Sequence, residues 1–328
     1  MRVLVTGAGG YIGTVLSEML IERGFEVFAL DTYYFGEDRL PKSVMPDHII
    51  KADIRSVGRS IFGKVEAVID LAALSNDPVG ELNPLSTYST NHLGRFRMAS
   101  LARSAGVARY VFPSSCSIYG FNEAWVDETH PPNPLTTYAR ANLSAEQDIL
   151  ALADDKFAVT ILRQATVYGV SRRMRFDLAV NDIVAQFYTT RKVKLTTGGE
   201  QWRPFVHVRD TSKAMIQCLS ADTSVVQGQV FNVGSDEQNY QIFDMAQGIA
   251  RALGIDFVYE WKGSPDARSY RVRFGKIKSV LGFQPNMDVK DGAKEVWESL
   301  SAGHIVYGDP KTLTVEWYKR LVAGGAKL

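Results

Sequence analysis

Several features that mark particular classes of protein are scarce in this sequence. The 328 residues include only two cysteines, Cys116 and Cys218, which are too few and too far apart for a disulfide framework or a metal-ligand set. They fit a reducing compartment. No apolar run approaches the roughly 18 residues that a membrane span needs. The formal net charge is only +1, so we expect no bulk attraction to nucleic acid or to a membrane.

Targeting signals are also absent from the first residues. The apolar segment 1–5 runs straight into a glycine-rich turn without a cleavage-type sequence, so we interpret it as the first strand of the mature fold. We therefore expect a cytoplasmic protein. Hydrophobic residues make up 45% of the chain and charged residues 22%, which is ordinary for a globular protein of one large or two unequal domains.

Short apolar segments alternate with helical patterns in the first half of the chain. This alternation, with buried β-branched strands, predicts an α/β fold with a doubly wound parallel sheet and helices on both faces. The predicted strands are 3–5, 27–30, 68–71, 110–112 and 159–162, and the predicted helices are 12–23, 86–105 and 137–153.

After about residue 170 the segments become shorter and the turns more frequent. This change predicts a smaller C-terminal lobe that carries specificity loops, so we divide the chain into residues 1–170 and 171–328. Some later segments are expected to return to the main sheet, and 205–208 is one of them.

A glycine-rich turn is the strongest local signal. Gly7, Gly10 and Gly13 fall directly between the first predicted strand and the first predicted helix. Glycine permits the tight turn and lets a pyrophosphate approach the backbone, while the helix N-terminus offers free N–H groups and a positive dipole end. The turn therefore predicts a dinucleotide site of the Rossmann type.

Acidic residues at the next two strand ends extend this prediction. Asp31 closes the second strand, where a carboxylate binds the ribose hydroxyls and repels a 2′-phosphate, so NAD is favoured over NADP. Asp53 and Ile54 follow the third strand at a place that suits contact with adenine. The alternatives are a turn cap for Asp31 and a solvated loop acid for Asp53.

Ordered motifs extend over nearly the whole chain. After the glycine-rich turn they are Leu71-Ala72-Ala73, Asn91, 114–120 (Ser-Ser-Cys-Ser-Ile-Tyr-Gly), Pro134 with Tyr138, 162–163, 167–169, 203–210, 231–234 and 281–285. On these motifs the sequence resembles the extended short-chain dehydrogenases, that is, the nucleotide-sugar epimerases and dehydratases. That family hosts several reactions on one scaffold.

The resemblance implies a set of site residues. Tyr138 takes a proton from a sugar hydroxyl, Ser115 polarises that hydroxyl, and Ser117 is a second hydroxyl candidate. The implied NAD contacts are Gly7, Gly10, Tyr11, Ile12, Gly13, Asp31, Asp53, Ile54, Leu71, Ala72, Ala73, Asn91, Tyr138 and Asn142. The implied substrate contacts are Ser75, Ser115, Asn181, Arg203 and Arg268.

The sequence departs from the family pattern one helical turn after Tyr138. The family has a lysine there, which holds the nicotinamide ribose and lowers the tyrosine pKa from roughly 10, too high for a base at neutral pH. This chain has Asn142, which can bond the ribose but carries no charge. Three explanations stay open: a natural variant in which NAD⁺ supplies the charge, a disabled variant that traps a sugar, or a binding protein without catalysis.

The segment 114–120 lacks acidic residues, and this absence bears on the type of reaction. Family dehydratases carry an Asp-Glu pair in the segment 114–120 and decarboxylases carry a Glu there, whereas this chain has Cys116 and Ser117. The resemblance therefore favours oxidation and reduction at a ring carbon, foremost C4, as in an epimerase or dehydrogenase. A dehydratase or decarboxylase is the alternative.

Cations after residue 170 suit a nucleotide diphosphate, so the implied substrate is a UDP-, GDP- or dTDP-linked sugar. Arg172, Arg173 and Arg175 are instead expected to form a solvated face. Similar proteins dimerise through a four-helix bundle, so we expect a homodimer that packs the helices 86–105 and 137–153 against their copies.

Overall fold

The strands confirm the predicted α/β class. The protein is described by a computed structural model that covers residues 1–326 and 328. The strands are β1 Arg2–Thr6, β2 Glu26–Asp31, β3 Ile49–Lys51, β4 Ala67–Asp70, β5 Arg109–Ser115, β6 Phe121–Val126, β7 Ala158–Gln164, β8 Thr166–Tyr168, β9 Val193–Thr196, β10 Trp202–His207, β11 Gln229–Val233, β12 Asn239–Gln241, β13 Tyr259–Lys262 and β14 Ser269–Val272.

Helices follow most of the strands. They are α1 Tyr11–Glu22, α2 Asp77–Gly80, α3 Pro84–Tyr88, α4 Arg95–Ser104, α5 Thr137–Leu150, α6 Ala179–Thr190, α7 Val208–Ser220, α8 Thr223–Val226, α9 Ile242–Leu253, α10 Gly275–Leu281, α11 Val289–Ser301 and α12 Thr314–Ala323. Within the described residues, no helix combines the length and the apolar character that crossing a membrane requires.

Seven parallel strands form the main sheet, in the order β11-β7-β5-β4-β1-β2-β3. From β1 the chain builds outward through β2 to β3, and it then returns to place β4 on the other side of β1. This reversal confirms the doubly wound topology. It leaves a crevice at the carboxyl ends of β1 and β4, where ligands bind in open α/β sheets.

Both faces of the main sheet are covered because side chains of a strand alternate between the faces. Val3 and Val5 pack into the apolar cluster that contains α1, whereas Leu4 packs into the cluster that contains residues of α4 and α5. Every residue of β4 and of β7 is buried, as parallel strands covered on both faces require.

The second half of the chain adds three small sheets, with the strand orders β12-β10-β8, β13-β9 and β14-β6. The prediction that 205–208 returns to the main sheet is wrong, because Phe205 and its neighbours in β10 pair with β8. The strand that returns is β11, which pairs with β7. Both segments are short and apolar, so local pattern does not distinguish them. The lobe boundary at residue 170 stays a prediction.

The predicted helix over 86–105 is interrupted. α3 ends at Tyr88, a π-helical turn covers Ser89–Gly94, and α4 begins at Arg95. The turn carries Asn91, whose buried side chain accepts a hydrogen bond from Leu74 N at 2.8 Å and donates to Leu74 O at 2.9 Å. π-Helical turns recur at functional sites, and this one anchors the loop that follows β4.

Candidate active site

A cleft of about 530 Å³ opens at the carboxyl ends of β1, β2 and β4. Its wall brings together most of the residues that the sequence assigns to the cofactor and the substrate. They are Gly7, Gly10, Tyr11, Ile12, Gly13, Asp31, Asp53, Ile54, Leu71, Ala72, Ala73, Ser75, Ser115, Ser117, Tyr138, Arg203 and Arg268. The predicted contacts Asn91, Asn142 and Asn181 do not line this cleft.

The glycine-rich turn between β1 and α1 leaves no room for a side chain at Gly7 or Gly13. Gly7 has a φ of +65°, and a Cβ there would lie 2.7 Å from the carbonyl carbon of Leu71. A Cβ on Gly13 would lie 2.1 Å from the carbonyl oxygen of Gly7. Gly10 caps α1 without any side-chain hydrogen bond, so the first N–H groups of this helix remain available to an anion.

Asp31 lies beside this turn. Its carboxylate accepts hydrogen bonds from the backbone N–H of Gly9 at 3.0 Å and of Tyr33 at 2.8 Å. Burial raises the pKa of Asp31, and these two hydrogen bonds partly offset the effect. A half-buried carboxylate at the end of β2 suits a ribose diol and opposes a phosphate.

Asp53 lies at the end of the next strand of the sheet. It accepts a hydrogen bond from Arg55 Nη2 at 2.6 Å. Burial alone would raise the pKa of Asp53, but the hydrogen bonds from Arg55 outweigh burial and lower it. Arg55 also lines the cleft. Sequence reasoning missed Arg55, although its place two residues after the predicted acid was a usable signal.

The last helix forms part of the same wall, which the sequence did not predict. Thr314 and Tyr318 of α12 line the cleft, and the ring of Tyr318 meets the ring of Phe35 edge-on at 5.5 Å. An amphipathic helix indicates that one face is buried, but not against which element. Nothing local in the sequence therefore connects α12 with the glycine-rich turn.

Tyr138 is positioned by the first turn of α5. Thr136 caps this helix and accepts a hydrogen bond from Ala139 N at 3.2 Å. A Cβ on Gly80 would lie 2.9 Å from the Cβ of Tyr138, so the close approach of α2 requires glycine there. The phenol is thereby directed into the cleft from a rigid element.

The surroundings of the Tyr138 phenol oppose its ionisation. Burial raises its pKa, and the carboxylate of Asp77 raises it further. Arg95, Arg175 and the amide of Asn142 act in the opposite direction. Together these effects leave the pKa of Tyr138 above its ordinary value. The phenol therefore keeps its proton, and only additional positive charge beside it would make it a base.

Some buried polar atoms of the wall lack a protein partner. Within the described residues they are Thr90 Oγ1, Ser114 Oγ, Ser117 Oγ and Arg173 Nε. Buried polar atoms are normally paired, so these four are incomplete without a ligand. Ser115 Oγ accepts a hydrogen bond from Ser117 N at 3.1 Å and keeps its own proton to donate. The wall thus fits a cofactor and a substrate rich in hydroxyl and phosphate groups.

Asn142 lies behind the wall and is only 1% exposed. Its Nδ2 donates to the backbone oxygen of Tyr138 at 2.9 Å, and its Oδ1 accepts from Arg95 Nη1 at 3.1 Å. Both ends of the amide are therefore engaged within the protein. Asn142 does not line the cleft in this arrangement, with Arg95 reaching its amide from α4, and the predicted contact with the ribose stays a prediction.

Asn181 also points into the protein. Its Oδ1 accepts from Gly169 N at 3.0 Å, and its Nδ2 donates to Tyr11 Oη at 3.2 Å and to Arg175 O at 3.0 Å. The predicted contact with a diphosphate is replaced by a link between α6, the end of β8 and the glycine-rich turn. Asn91 and Asn181 therefore both position wall residues.

Arg203 and Arg268 meet at one carboxylate. Asp266 Oδ2 lies 2.9 Å from Arg203 Nη2 and 2.7 Å from Arg268 Nη2. Arg268 also pairs with Asp77 of α2. Burial alone would raise the pKa of Asp266, but the two guanidinium groups outweigh it and lower the pKa. The paired arginines give this part of the cleft several N–H donors for a diphosphate.

The expectation of a solvated face over the arginines after residue 170 is wrong for two of the three. Arg173 and Arg175 are 4% and 6% exposed and line the cleft. Arg175 Nη2 lies 2.8 Å from Asp177 Oδ2, and its Nη1 donates to Ser75 Oγ at 3.0 Å. The sequence shows a run of basic residues. It does not show that the chain folds two of these side chains inward, beneath α12.

Arg173 has no carboxylate within ion-pair distance among the described residues. Its guanidinium stacks on the ring of Phe35 at 3.6 Å, and its Nη2 donates to Thr314 Oγ1 at 3.1 Å. Burial and the cation of Arg175 lower the pKa of Arg173 to about 9. A buried cation without a counter-ion favours an anion in the adjoining cleft.

A family model now identifies the scaffold. The model described as the NAD dependent epimerase/dehydratase family matches residues 3–234, from β1 to the end of β11. The chain belongs to this family. It is therefore an NAD-dependent enzyme, and the matched segment contains the glycine-rich turn, Tyr138 and Arg203.

Relatives are similar over nearly the whole chain. A putative UDP-glucose 4-epimerase of Methanocaldococcus jannaschii is 29% identical over 307 residues, 90% of this chain and 96% of that protein. UDP-glucuronic acid decarboxylase 1 of Xenopus tropicalis is 24% identical over 302 residues, 89% of this chain and 70% of that protein. The solved structure of MoeE5 in complex with UDP-glucuronic acid and NAD is 27% identical, with a TM-score of 0.78 over 98% of this chain and 99% of that chain.

Proposed function

We propose that this protein oxidises C4 of the sugar of a nucleotide-diphospho sugar and returns the hydride to the same carbon, as a 4-epimerase does. The supporting observation is that one cleft combines the glycine-rich turn, the hydroxyls of Tyr138 and Ser115, and the arginines Arg203 and Arg268. When bound, NAD supplies the hydride acceptor and donor. The close variant of this reaction is net oxidation at C4, as in a dehydrogenase.

Each group has a part in this reaction. Tyr138 accepts the proton of the sugar O4 hydroxyl as hydride leaves C4, and it returns that proton when hydride comes back. Ser115 donates to the same oxygen and fixes its direction. Arg203 and Arg268 bind the diphosphate and thereby hold the sugar ring against Tyr138.

The state of the acids in the cleft favours this reaction over an elimination. Five aspartates line the wall, and each is already bound by cations or backbone N–H groups. They are Asp31 with Gly9 and Tyr33, Asp53 with Arg55, Asp77 with Arg268, Asp177 with Arg175, and Asp266 with Arg203 and Arg268. Elimination of water needs a carboxyl group that is free to exchange a proton. A decarboxylase is the second candidate, and the similarity to UDP-glucuronic acid decarboxylase 1 favours it.

An NMR panel tests the proposal. The protein is incubated with NAD⁺ and separate UDP-, dTDP- and GDP-sugars, including glucose and glucuronic acid forms. We expect one sugar to be converted to its 4-epimer without accumulation of NADH. Release of CO₂ or a 6-deoxy-4-keto product would replace the proposal by the lyase reaction, and binding without conversion of any sugar would contradict it.

We also propose that the protein is a homodimer. Leu85 of α3 and Leu93 of the π-helical turn are 83% and 58% exposed, and they lie beside or within the segment 86–105, so a dimer that packs this segment against its copy would cover them. Light scattering across a concentration series tests this. We expect twice the 36.4 kDa of one chain, and a constant monomer mass would contradict the proposal.

A further inference from the structure

We propose that Arg95 supplies, from α4, the positive charge that the reactive helix α5 lacks, and that Asn142 couples this charge to the segment that carries Tyr138. The inference rests on the proposed function only in taking Tyr138 as the acid and base of the reaction. It makes Arg95 a positioning residue, since the guanidinium does not line the cleft.

Arg95 is an arginine in the core. It is the first residue of α4, it is 1% exposed, and its guanidinium carbon lies 3.8 Å from the centre of the Phe112 ring. Arginine is rarely buried to this extent unless it is paired. Removing this cation from water is costly, so its partners must account for its position.

The partners of Arg95 lie at the carboxyl ends of two strands that border the cleft. Nε lies 3.3 Å from Asp70 Oδ2, and Nη2 donates to the backbone oxygens of Asp70 and, at 3.0 Å, of Pro113. Asp70 shares its carboxylate with two other donors, Thr6 and the phenol of Tyr110. Nη1 is directed to the other side, toward α5, where it donates to Asn142.

The contact with Asn142 gives a reason for the departure from the family pattern. The amide accepts from Arg95 and donates to the backbone oxygen of Tyr138, so it links the cation to the helix turn that bears the phenol. A lysine at this position would bring a second cation against Arg95 in a buried place. The neutral amide of Asn142 and the cation of Arg95 therefore belong together. The positive charge that the family pattern places on α5 is placed here on α4.

The electrostatic surroundings of Tyr138 agree with this geometry. The charged groups that act on it are Asp77 of α2, Arg95 of α4 and Arg175 of the segment before α6. Burial and Asp77 raise its pKa, whereas Arg95, Arg175 and the Asn142 amide lower it. Arg175 is itself paired with Asp177 at 2.8 Å. Arg95 is likewise paired, with Asp70, but of the two cations it lowers the Tyr138 pKa more, so we expect the phenol to respond most strongly to its removal.

Titration of Tyr138 tests the proposal without any substrate. The protein with NAD⁺ bound is labelled with tyrosine carrying ¹³C at Cζ, and the Tyr138 signal is assigned by its loss in Tyr138→Phe. We expect Arg95→Gln to raise the Tyr138 pKa by about one pH unit or more, which is tenfold less phenolate at a given pH. Arg95→Lys keeps the charge, so its Tyr138 pKa should stay within a few tenths of a unit of the wild-type value. An unchanged pKa in Arg95→Gln would overturn the proposal, even if the substrate assignment holds.

A charge exchange keeps the test decisive if Arg95→Gln does not fold. The double variant Arg95→Gln/Asn142→Lys moves the cation from α4 to α5, so we expect it to fold and to titrate at Tyr138 like the wild type. Asn142→Lys alone should unfold at lower denaturant concentration than the wild type, because it places two cations together. A double variant that fails to fold, or one whose Tyr138 pKa is one unit above the wild type, would overturn the exchange.

Discussion

The cofactor end and the substrate end of the cleft are built in different ways. At the cofactor end the glycine-rich turn presents backbone, with Gly7 and Gly13 packed so closely that a Cβ would meet other main-chain atoms. At the substrate end the wall is made of charged side chains from distant segments, and the partners Arg268 and Asp77 are 191 residues apart. One end is set by a short local motif, whereas the other exists only once the chain has folded.

This difference has consequences for how each end responds to change. Backbone contacts in a tight turn cannot adjust, so substitutions there act sterically and are insensitive to salt. Paired side chains can shift and are screened, so substitutions there act through charge and depend on pH and ionic strength. In the proposed reaction, Tyr138 acts on a sugar held at the substrate end while NAD is held at the cofactor end.

The largest effect on turnover is expected for Tyr138. Tyr138→Phe removes the only hydroxyl of that ring and should lower kcat by about 10²- to 10⁴-fold, because the sugar proton then has no acceptor. Binding of NAD⁺ and of the nucleotide-sugar, measured by calorimetry, should change little. A variant that retains wild-type turnover would show that another group transfers the proton.

The steric character of the cofactor end is tested by Gly13→Ala. The new Cβ would lie 2.1 Å from a backbone oxygen that cannot move away, so we expect NAD⁺ affinity to fall by roughly 100-fold or more. Gly248→Ala is the matched control, since nothing lies within 4 Å of its Cβ in α9, and it should be neutral or stabilise by about 0.5–1 kcal/mol. Equal losses in both variants would contradict the steric account.

Arg173 sharpens the comparison, because it is a charged group beside Phe35 and α12 that has no carboxylate partner within the described part of the chain. Arg173→Gln should weaken NAD⁺ binding by roughly tenfold, the value of one charge-assisted contact to a phosphate. The free energy of unfolding without NAD⁺ should fall little or rise, since an unpaired buried cation is removed. Its neighbour Arg172 pairs with Glu18 at the surface, and Arg172→Gln should leave both quantities unchanged within about 0.5 kcal/mol. A marked loss of stability in Arg173→Gln without loss of affinity would assign Arg173 to packing.

The smallest effect concerns pH and the substrate end. The folded-state pKa of Asp266 lies below its unfolded value, so its ionised form adds stability that is present above the unfolded pKa of roughly 4 and is lost as pH falls through the lowered value. Urea unfolding between about pH 6 and pH 3 should therefore show a shallower decline in Asp266→Asn than in the wild type. Parallel curves would mean that the pairing with Arg203 and Arg268 adds no net stability.

Sequence reasoning succeeded where a local rule applies. The strand and helix periods predicted the parallel sheet, glycine spacing predicted the tight turn between β1 and α1, and the helix predicted over 137–153 is α5, which carries Tyr138 in its first turn. It failed where distant segments meet. The burial of Arg173 and Arg175, the contribution of α12 and the inward direction of Asn181 depend on packing that no short pattern records.

Arg95 is an instructive omission, because a signal was present. Arg95, Met98, Ala99 and Ala102 follow the spacing of one helical face, and all four are buried. A charged residue at the head of an apolar face predicts a buried ion pair. That signal together with Asn142 would have indicated the exchange of charge before the structure was known.

The most direct test of the account follows the hydrogen at C4. The protein is incubated with NAD⁺ and a panel of UDP- and dTDP-sugars that carry deuterium at C4, and the products are read by NMR. The account predicts a 4-epimer that retains deuterium at C4, because the hydride leaves and returns within one cleft. A product that keeps deuterium at C4 with the C4 configuration unchanged, or one with deuterium transferred from C4 to another carbon such as C6, would contradict it.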